Sequence, residues 1–301
     1  MASTTPFFSI VVPTYNRAHL ISKTLQSLLT QSEQDFEVLV VDDCSGDIER
    51  LSQIISELDD ERFSLLKHEK NLNGAAARNT GINASKGKYI AFLDSDDTWP
   101  DKRLAAMRAA IECTPEADRV VFYGQVDFKF PEQSHGRIMP EVGIGGGSVA
   151  EYLFIHGGLI QTSTIVCSSA LAKAVGFDER FIRHQDYDFC LRAEANGYLF
   201  KFIPHVVSNW LRYKGASTFK KGATFDFCKF WLAEMKQYMS ETASKNYQAK
   251  VLAPIAFETG NLAEGFAILC ASLGQVSLRR WPTVLLKSIK GLIKYFIRVI
   301  S

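Results

Sequence analysis

Four short apolar runs, spaced by amphipathic segments, govern what this chain can fold into. Ser9–Pro13, Glu37–Val41, Phe63–Lys67 and Tyr89–Leu93 are rich in Val, Ile, Leu and aromatic residues. Helical stretches at Ala18–Thr30, Ile48–Leu58 and Gly74–Ala84 lie between them, and another follows at Asp101–Glu112. Strands spaced by helices predict an α/β fold with a mainly parallel sheet and right-handed crossovers. Ile10-Val11-Val12 and Val38-Leu39-Val40-Val41 are apolar on both faces, as strands covered by helices on each side must be. Arg119–Phe130 predicts one longer strand, and Pro131–Ser148, with Gly143, Gly145, Gly146 and Gly147, predicts a flexible loop. From about Gly222 the periodicity turns helical. The expected division is an α/β domain over residues 1–219 and a helical extension over residues 220–301.

Composition narrows the class further. An apolar share of 47% with 22% charged residues excludes wholesale disorder, collagen and coiled coil. No run of about 18 apolar residues predicts a bilayer-spanning helix. Strand-like sequence from Phe7 leaves no room for a signal peptide. Six scattered cysteines without a CxxC read as reduced thiols, so a cytoplasmic location is expected. A net charge of +1 and the lack of a basic stripe on the α/β part speak against a nucleic-acid partner.

Ligands of open α/β sheets bind beyond the carboxyl ends of the strands. Strand one ends in Pro13-Thr14-Tyr15-Asn16-Arg17, strand two in Asp42-Asp43, and the fourth in Asp94-Ser95-Asp96-Asp97. Carboxylates gathered this way need a cation or hydrogen-bond donors. Hard oxygen ligands suit Mg²⁺ or Mn²⁺, which complete their shells with substrate phosphates. Taken alone, Asp42-Asp43 is equally a helix N-cap or a solvated loop. Neither a P-loop nor a GxGxxG turn is present, so a diphosphate must be met by a metal and side chains. Arg78 and Asn79, one turn into the helix after the third strand, follow the small residues Gly74-Ala75-Ala76-Ala77. That arrangement offers fixed positive charge with close approach, the bland alternative being a solvated arginine.

Ser9-Ile-Val-Val-Pro-Thr-Tyr-Asn-Arg17, Val40-Val-Asp-Asp-Cys-Ser45, Ala77-Arg-Asn79 and Phe92-Leu-Asp-Ser-Asp-Asp97 together resemble the family 2 glycosyltransferases of GT-A fold, a group of bacterial-type nucleotide-sugar transferases. The likeness runs from about Phe7 to Tyr213. It implies a nucleotide-diphosphate sugar donor, UDP by family habit, a divalent metal, and inversion at the anomeric carbon. Pro13, Thr14, Tyr15, Arg17 and Asp43 match the nucleotide-binding segments, and Arg78 falls near the base or phosphates. Asp94 matches the ribose contact, Ser95 lies in the DxD motif, and Asp96 matches its metal-binding member, a role Asp97 could share.

Transfer to a hydroxyl needs a carboxylate to take its proton. Gly176-Phe-Asp-Glu-Arg-Phe-Ile-Arg-His-Gln-Asp-Tyr-Asp-Phe189 opens a predicted helix, Asp186–Asn196. The family's base lies in a Glu-Asp pair before such a helix. Here the pair reads Gln185-Asp186, so Asp186 is the candidate base, with Asp188 its rival and an N-cap the plain alternative. His184 beside it reads as structural. Gly157–Val166 resembles the acceptor-side segment, where Thr162-Ser163-Thr164 meet a sugar or form a polar strand edge. Trp210-Leu-Arg-Tyr-Lys-Gly-Ala-Ser217 resembles a family segment that contributes Arg212 and puts Lys214 where a histidine is usual. The Gln-x-x-Arg-Trp pattern of processive synthases is absent, which suits addition of a single sugar to a glycan or lipid-linked glycan of a surface polysaccharide.

After Glu264 no acidic residue remains, and six cations follow Leu278. Leu285, Leu286, Ile289, Leu292, Ile293, Phe296, Ile297 and Ile300 fall on one arc of a helix, and the later cations on another. Residues 278–301 therefore read as lying on an anionic membrane, on the inner face of the plasma membrane, or else as packed on the protein or in a homodimer. Two other functions compete with transfer. A sugar-nucleotide pyrophosphorylase would need a Gly-rich loop where Thr14-Tyr15-Asn16-Arg17 stands, and a non-catalytic nucleotide-sugar-binding scaffold would not need Asp186.

Overall fold

The computed structural model describes residues 5–212, 222 and 224–300, with the side chains of 298–300 left aside. It divides into two compact units: residues 1–144 with 159–216, and residues 145–158 with 217–301.

The first unit is the α/β body. Its elements run β1 (Phe8–Thr14), α1 (Ala18–Leu29), β2 (Phe36–Asp42), α2 (Ile48–Ser56), β3 (Phe63–Lys67), α3 (Asn73–Ala84), β4 (Tyr89–Phe92) and α4 (Arg103–Glu112). Then come β5 (Val120–Lys129), β6 (Arg137–Met139), β7 (Val166–Ser168), α5 (Ser169–Val175), α6 (Gln185–Ala195) and β8 (Leu199–Leu211). The sheet order is β3-β2-β1-β4-β7-β5-β6, with β8 also paired to β5. The first four strands are parallel, β7 runs antiparallel between β4 and β5, and β8 is parallel to β5. The sheet is thus mixed beyond β4. Every residue of β1 is buried, because helices cover both of its faces. Ile10, Val12, Leu25, Val38, Val40 and Phe122 belong to the main apolar cluster. Burying each such side chain contributes about 1.5–3 kcal/mol.

Two local features differ from expectation. The stretch expected as a flexible loop, Pro131–Ser148, contributes β6 to the sheet edge. Asp127 accepts from the Gly136 N–H at 2.8 Å, and Tyr123 from Ile144 N–H at 2.7 Å. A Cβ on Gly136 would stand 2.1 Å from the Phe128 carbonyl, so glycine there permits the contact with β5 instead of preventing structure. The second feature is the stretch 145–158, which groups with the C-terminal helices. Its π-helical turn Glu151–Ile155 sets Phe154 edge-on to Trp231 and Tyr247, with centroids 6.3 and 5.3 Å apart.

The described residues of the second unit also form α7 (Phe225–Met235), α8 (Glu241–Tyr247), a π-helical turn (Gln248–Leu252), α9 (Ala253–Thr259), α10 (Leu262–Ala271) and α11 (Trp281–Ile300), with short 3-10 turns at Lys236–Tyr238 and Leu278–Arg280. Among the described residues no helix is long and apolar enough to cross a membrane.

Candidate active site

In the order β2-β1-β4, strand β1 lies where the chain, having gone outward to β3, returns to the other side through β4. A crevice opens at such a switch point, beyond the strands' carboxyl ends. The tips of β1, β2 and β4 all face that end.

The β4 tip is held from below. Thr24 of α1 donates to the carbonyls of Ser95 (3.0 Å) and Asp97 (2.7 Å). The Asp94 N–H donates to Ser163 Oγ at 3.0 Å. These bonds aim the Asp94 and Asp96 side chains outward, with 29% and 22% of their surface exposed. Each meets an arginine: Arg17 pairs with Asp96, and Arg78 with Asp94.

Arg78 is not the solvated helical arginine of the bland reading. It is 7% exposed. One end of its guanidinium reaches Asp94, and the other donates to Gln185 Oε1 at 2.5 Å and to the Gly74 carbonyl at 3.2 Å. The group lies 5.4 Å from the Phe177 ring centroid. Its Nε is buried without a partner. The small residues of α3 let it lie this deep. Ala75, Ala76, Ala77 and Gly81 are all buried, and a Cβ on Gly81 would come within 2.4 Å of Val11.

Through Arg78 and Gln185 the β4 tip is tied to α6. His184, in the left-handed region at φ 59°, starts that helix and stacks on Tyr187 with centroids 5.2 Å apart. Burial pushes its pKa down to about 3, so the ring is neutral, as its structural reading requires. Asp186 follows in the first turn and accepts from the Tyr187 N–H at 2.9 Å. Burial, reinforced by the Asp94 charge and opposed by Arg78, pushes its pKa up to about 6. Its rival Asp188 is fully buried, bonded by Arg192 at 2.6 Å through both oxygens and by the Asp178 N–H at 3.0 Å. That carboxylate is committed to holding α6 in place.

Other expected contacts are turned inward. Asp97, expected to share the metal or meet a diphosphate, is 1% exposed. It accepts from Ser163 Oγ and Gln161 Nε2, both at 2.7 Å, and from the Leu211 N–H at 3.2 Å. Burial and the charges of Asp96 and Asp94 raise its pKa well above the usual carboxylate range. Asp43, expected at the nucleobase, is 2% exposed. Its oxygens take the N–H groups of Leu72 (2.8 Å) and Asn73 (2.7 Å), and His68 bridges it to Thr80 at 2.8 Å on each side. Both aspartates organise loops, since a carboxylate with this many donors has little capacity left for a ligand. Thr162, Ser163 and Thr164 form a buried 3-10 turn, with Ser163 Oγ bonded to Asp97 and Thr164 Oγ1 to the Gln161 carbonyl, both at 2.7 Å. Pro13 is a buried β1 residue. The Thr14 hydroxyl is buried without a partner, while Tyr15 is 45% exposed. Ser95 is buried, Arg212 is exposed, and Lys214 lies outside the described residues.

Sequence reasoning missed the supports: Gln161 and Ser163 under Asp97, His68 under Asp43, and Asn79, whose amide grips Phe177 by both N–H and C=O at 2.8–2.9 Å. Asn79 lay in a quoted motif, but nothing in its spacing told a structural amide from a binding one.

The donor set suits a hard divalent cation. Asp96 offers carboxylate oxygen, and burial together with Asp94 raises its pKa, against the opposition of Arg17 and a backbone N–H. Arg17 alone does not hold that carboxylate at its ordinary pKa, so a cation at this place would stabilise its ionised form further. Among the described residues no three His, Cys, Asp or Glu side chains converge, so most of the cation's ligands would come from substrate and water.

Comparison with known proteins agrees with this geometry. Residues 9–169 match the model of Glycosyl transferase family 2. The amylovoran biosynthesis glycosyltransferase AmsB of Erwinia amylovora is 39% identical over 250 residues, covering 80% of this chain and 82% of that one. The UDP-Glc:alpha-D-GlcNAc-diphosphoundecaprenol beta-1,3-glucosyltransferase WfgD of Escherichia coli is 43% identical over 96 residues, 32% of this chain and 37% of its own. Among solved structures, S. aureus TarS 1–349 in complex with UDP-GlcNAc aligns with a TM-score of 0.64 over 97% of this chain and 91% of that one, at 20% identity. That likeness speaks to the fold alone. A topological switch at β1, two outward aspartates at the β4 tip and a family match spanning both have one common explanation: the chain belongs to the family 2 glycosyltransferases and carries their GT-A fold.

Proposed function

We propose that this glycosyltransferase moves one sugar from a nucleotide-diphosphate donor, with UDP as the nucleotide, to a saccharide or lipid-linked saccharide in surface polysaccharide synthesis, inverting the anomeric carbon. The observation that carries the reading is Asp186, a half-buried carboxylate with a pKa of about 6, tied through Arg78 and Gln185 to the aspartates of the β4 tip. The names of the relatives support the substrate class: AmsB belongs to amylovoran biosynthesis, and WfgD is named for UDP-Glc and a diphosphoundecaprenol-linked acceptor.

In this reading an acceptor hydroxyl bonds to Asp186. As its oxygen forms the new bond to the anomeric carbon, Asp186 takes the proton. The bond from that carbon to the diphosphate breaks on the opposite face, and its electron pair leaves with the diphosphate. A carboxylate of pKa about 6 accepts a proton more readily than one near 4 while staying ionised at neutral pH. Arg78 and Arg17 stand where charge on the departing group would grow. Mn²⁺ or Mg²⁺ held by Asp96, with Asp94 beside it, would supply further positive charge against the diphosphate.

The test is a thermal-shift screen of UDP-, GDP- and dTDP-sugars with Mn²⁺, followed by hydrolysis of the best donor. Wild type is expected to turn the donor over slowly. Asp186→Asn should lose about 10²–10⁴-fold in rate while keeping the donor-induced shift. Equal rates would remove Asp186 from the mechanism.

A further inference from the structure

Helix α11 packs the wrong way round for an ordinary terminal helix. Its buried side is small: Val284 and Ser288 are 0% and 3% exposed, and Gly291, about one turn further on, is buried on the same side. A Cβ on Gly291 would come within 2.4 Å of the Pro254 carbonyl, so α11 and α9 approach at backbone distance. Gly260, after α9, admits the Tyr295 ring in the same manner, where a Cβ would lie 2.6 Å away. The bulky residues therefore point away from the unit. Leu285, Leu286, Ile289, Ile293, Phe296 and Ile297 are each about half exposed or more. At 100° per residue they fill an arc of about 120°.

Beside that stripe, between it and the buried face, lie Lys287, Lys290 and Lys294, whose side chains keep much of their surface exposed, although partial burial lowers the pKa of Lys287. Lys294 pairs with Glu258 of α9 at 3.1 Å. Among the described residues no carboxylate is paired with Lys287 or Lys290, and α11 itself carries no acidic residue. Leu278 and Arg279, just before the helix, are exposed as well.

We infer that α11 docks on an anionic lipid surface, its apolar stripe among the acyl chains and its lysines at the headgroups. Charge complementarity selects this occupant. A second copy of the helix would bring an equally basic flank toward the first. It would also cover little: the stripe from Leu285 to Ile297 is about 20 Å long and roughly 10 Å wide, a footprint of about 200 Å², against about 800 Å² per partner in a standard interface. A bilayer sets no such minimum, because each apolar side chain that enters contributes by itself, and each nearby lysine adds attraction to anionic lipid. The inference concerns a surface apart from the proposed chemistry and does not depend on it.

Co-sedimentation of the full chain with vesicles tests it. Binding is expected to vesicles of equal parts phosphatidylglycerol and phosphatidylcholine, and to weaken at high salt. Ile289→Glu with Ile293→Glu should lower the partition coefficient by at least about tenfold, and Lys287→Glu with Lys290→Glu by about tenfold. Both pairs face outward, so circular dichroism and melting temperature should match wild type. Wild type that stays in the supernatant, or an Ile pair variant that binds as well as wild type, overturns the inference. So does a lipid-free dimer by sedimentation equilibrium that the Ile pair variant converts to monomer, since a second copy would then own the stripe.

Discussion

Asp186 sits in the first turn of α6, where the helix dipole favours a negative charge, yet burial wins and lifts its pKa to about 6. The ionised form is therefore disfavoured by folding. This penalty is absent below about pH 4, grows as pH rises toward 6, and is full above it. Asp186→Asn should thus melt about 2–4 °C higher than wild type at pH 8 and no higher at pH 4, a comparison that calorimetry can make. Activity should move the opposite way, with kcat/KM rising through an apparent pKa near 6. Gln185→Glu restores the commoner family residue and sets another carboxylate beside Asp186. The added charge favours protonation, so the acid limb of the pH–rate profile should shift upward by roughly half a unit or more. An unmoved limb would mean that Arg78 absorbs the new charge. The sequence disclosed which carboxylates gather at the strand tips but not which way they point. Asp96 and Asp97 are adjacent in sequence, and the distant donors Gln161, Ser163 and the Leu211 N–H hold the second turned inward.

Helix α3 shows what residue size does for an element. Gly81 brings it onto β1 so closely that Gly81→Ala should cost about 1–3 kcal/mol in chemical denaturation, by overpacking against Val11. Gly145→Ala, with nothing within 4 Å, should fall within about 1 kcal/mol of wild type. The same physics explains which elements were legible. Strands β1 to β4 and helices α1 to α4 announced themselves because hydropathy alone specifies elements buried on one or both faces. β6 did not, since its three residues lie in glycine-rich chain and its position depends on a close approach to β5. The inner face of α11 was hidden for a like reason: Val284, Ser288 and Gly291 meet α9 through small size, and hydropathy ranks the opposite face as the core.

At the scale of the molecule, net charge conceals an uneven distribution. Without the six cations that follow Leu278, 28 Lys and Arg face 33 Asp and Glu, so the balance of +1 joins an acidic remainder to a basic end. A donor that binds the native state alone should stabilise it by about 2.7 kcal/mol at a hundred times its Kd. EDTA should remove whatever part of the melting shift needs Mn²⁺, and an unchanged shift would assign donor binding to Arg17 and Arg78 alone. The pairing of those two arginines has a further consequence. Arg17 already rests on Asp96 and Arg78 on Asp94, so the acidic tips are neutralised before any ligand arrives. In the proposed reading, binding would be a metathesis: Asp96 would give up Arg17 for a cation, and the freed guanidinium would be open to a diphosphate. Partners would change while the sum of charge would not, so affinity for a preformed cation–donor complex should be largely indifferent to ionic strength.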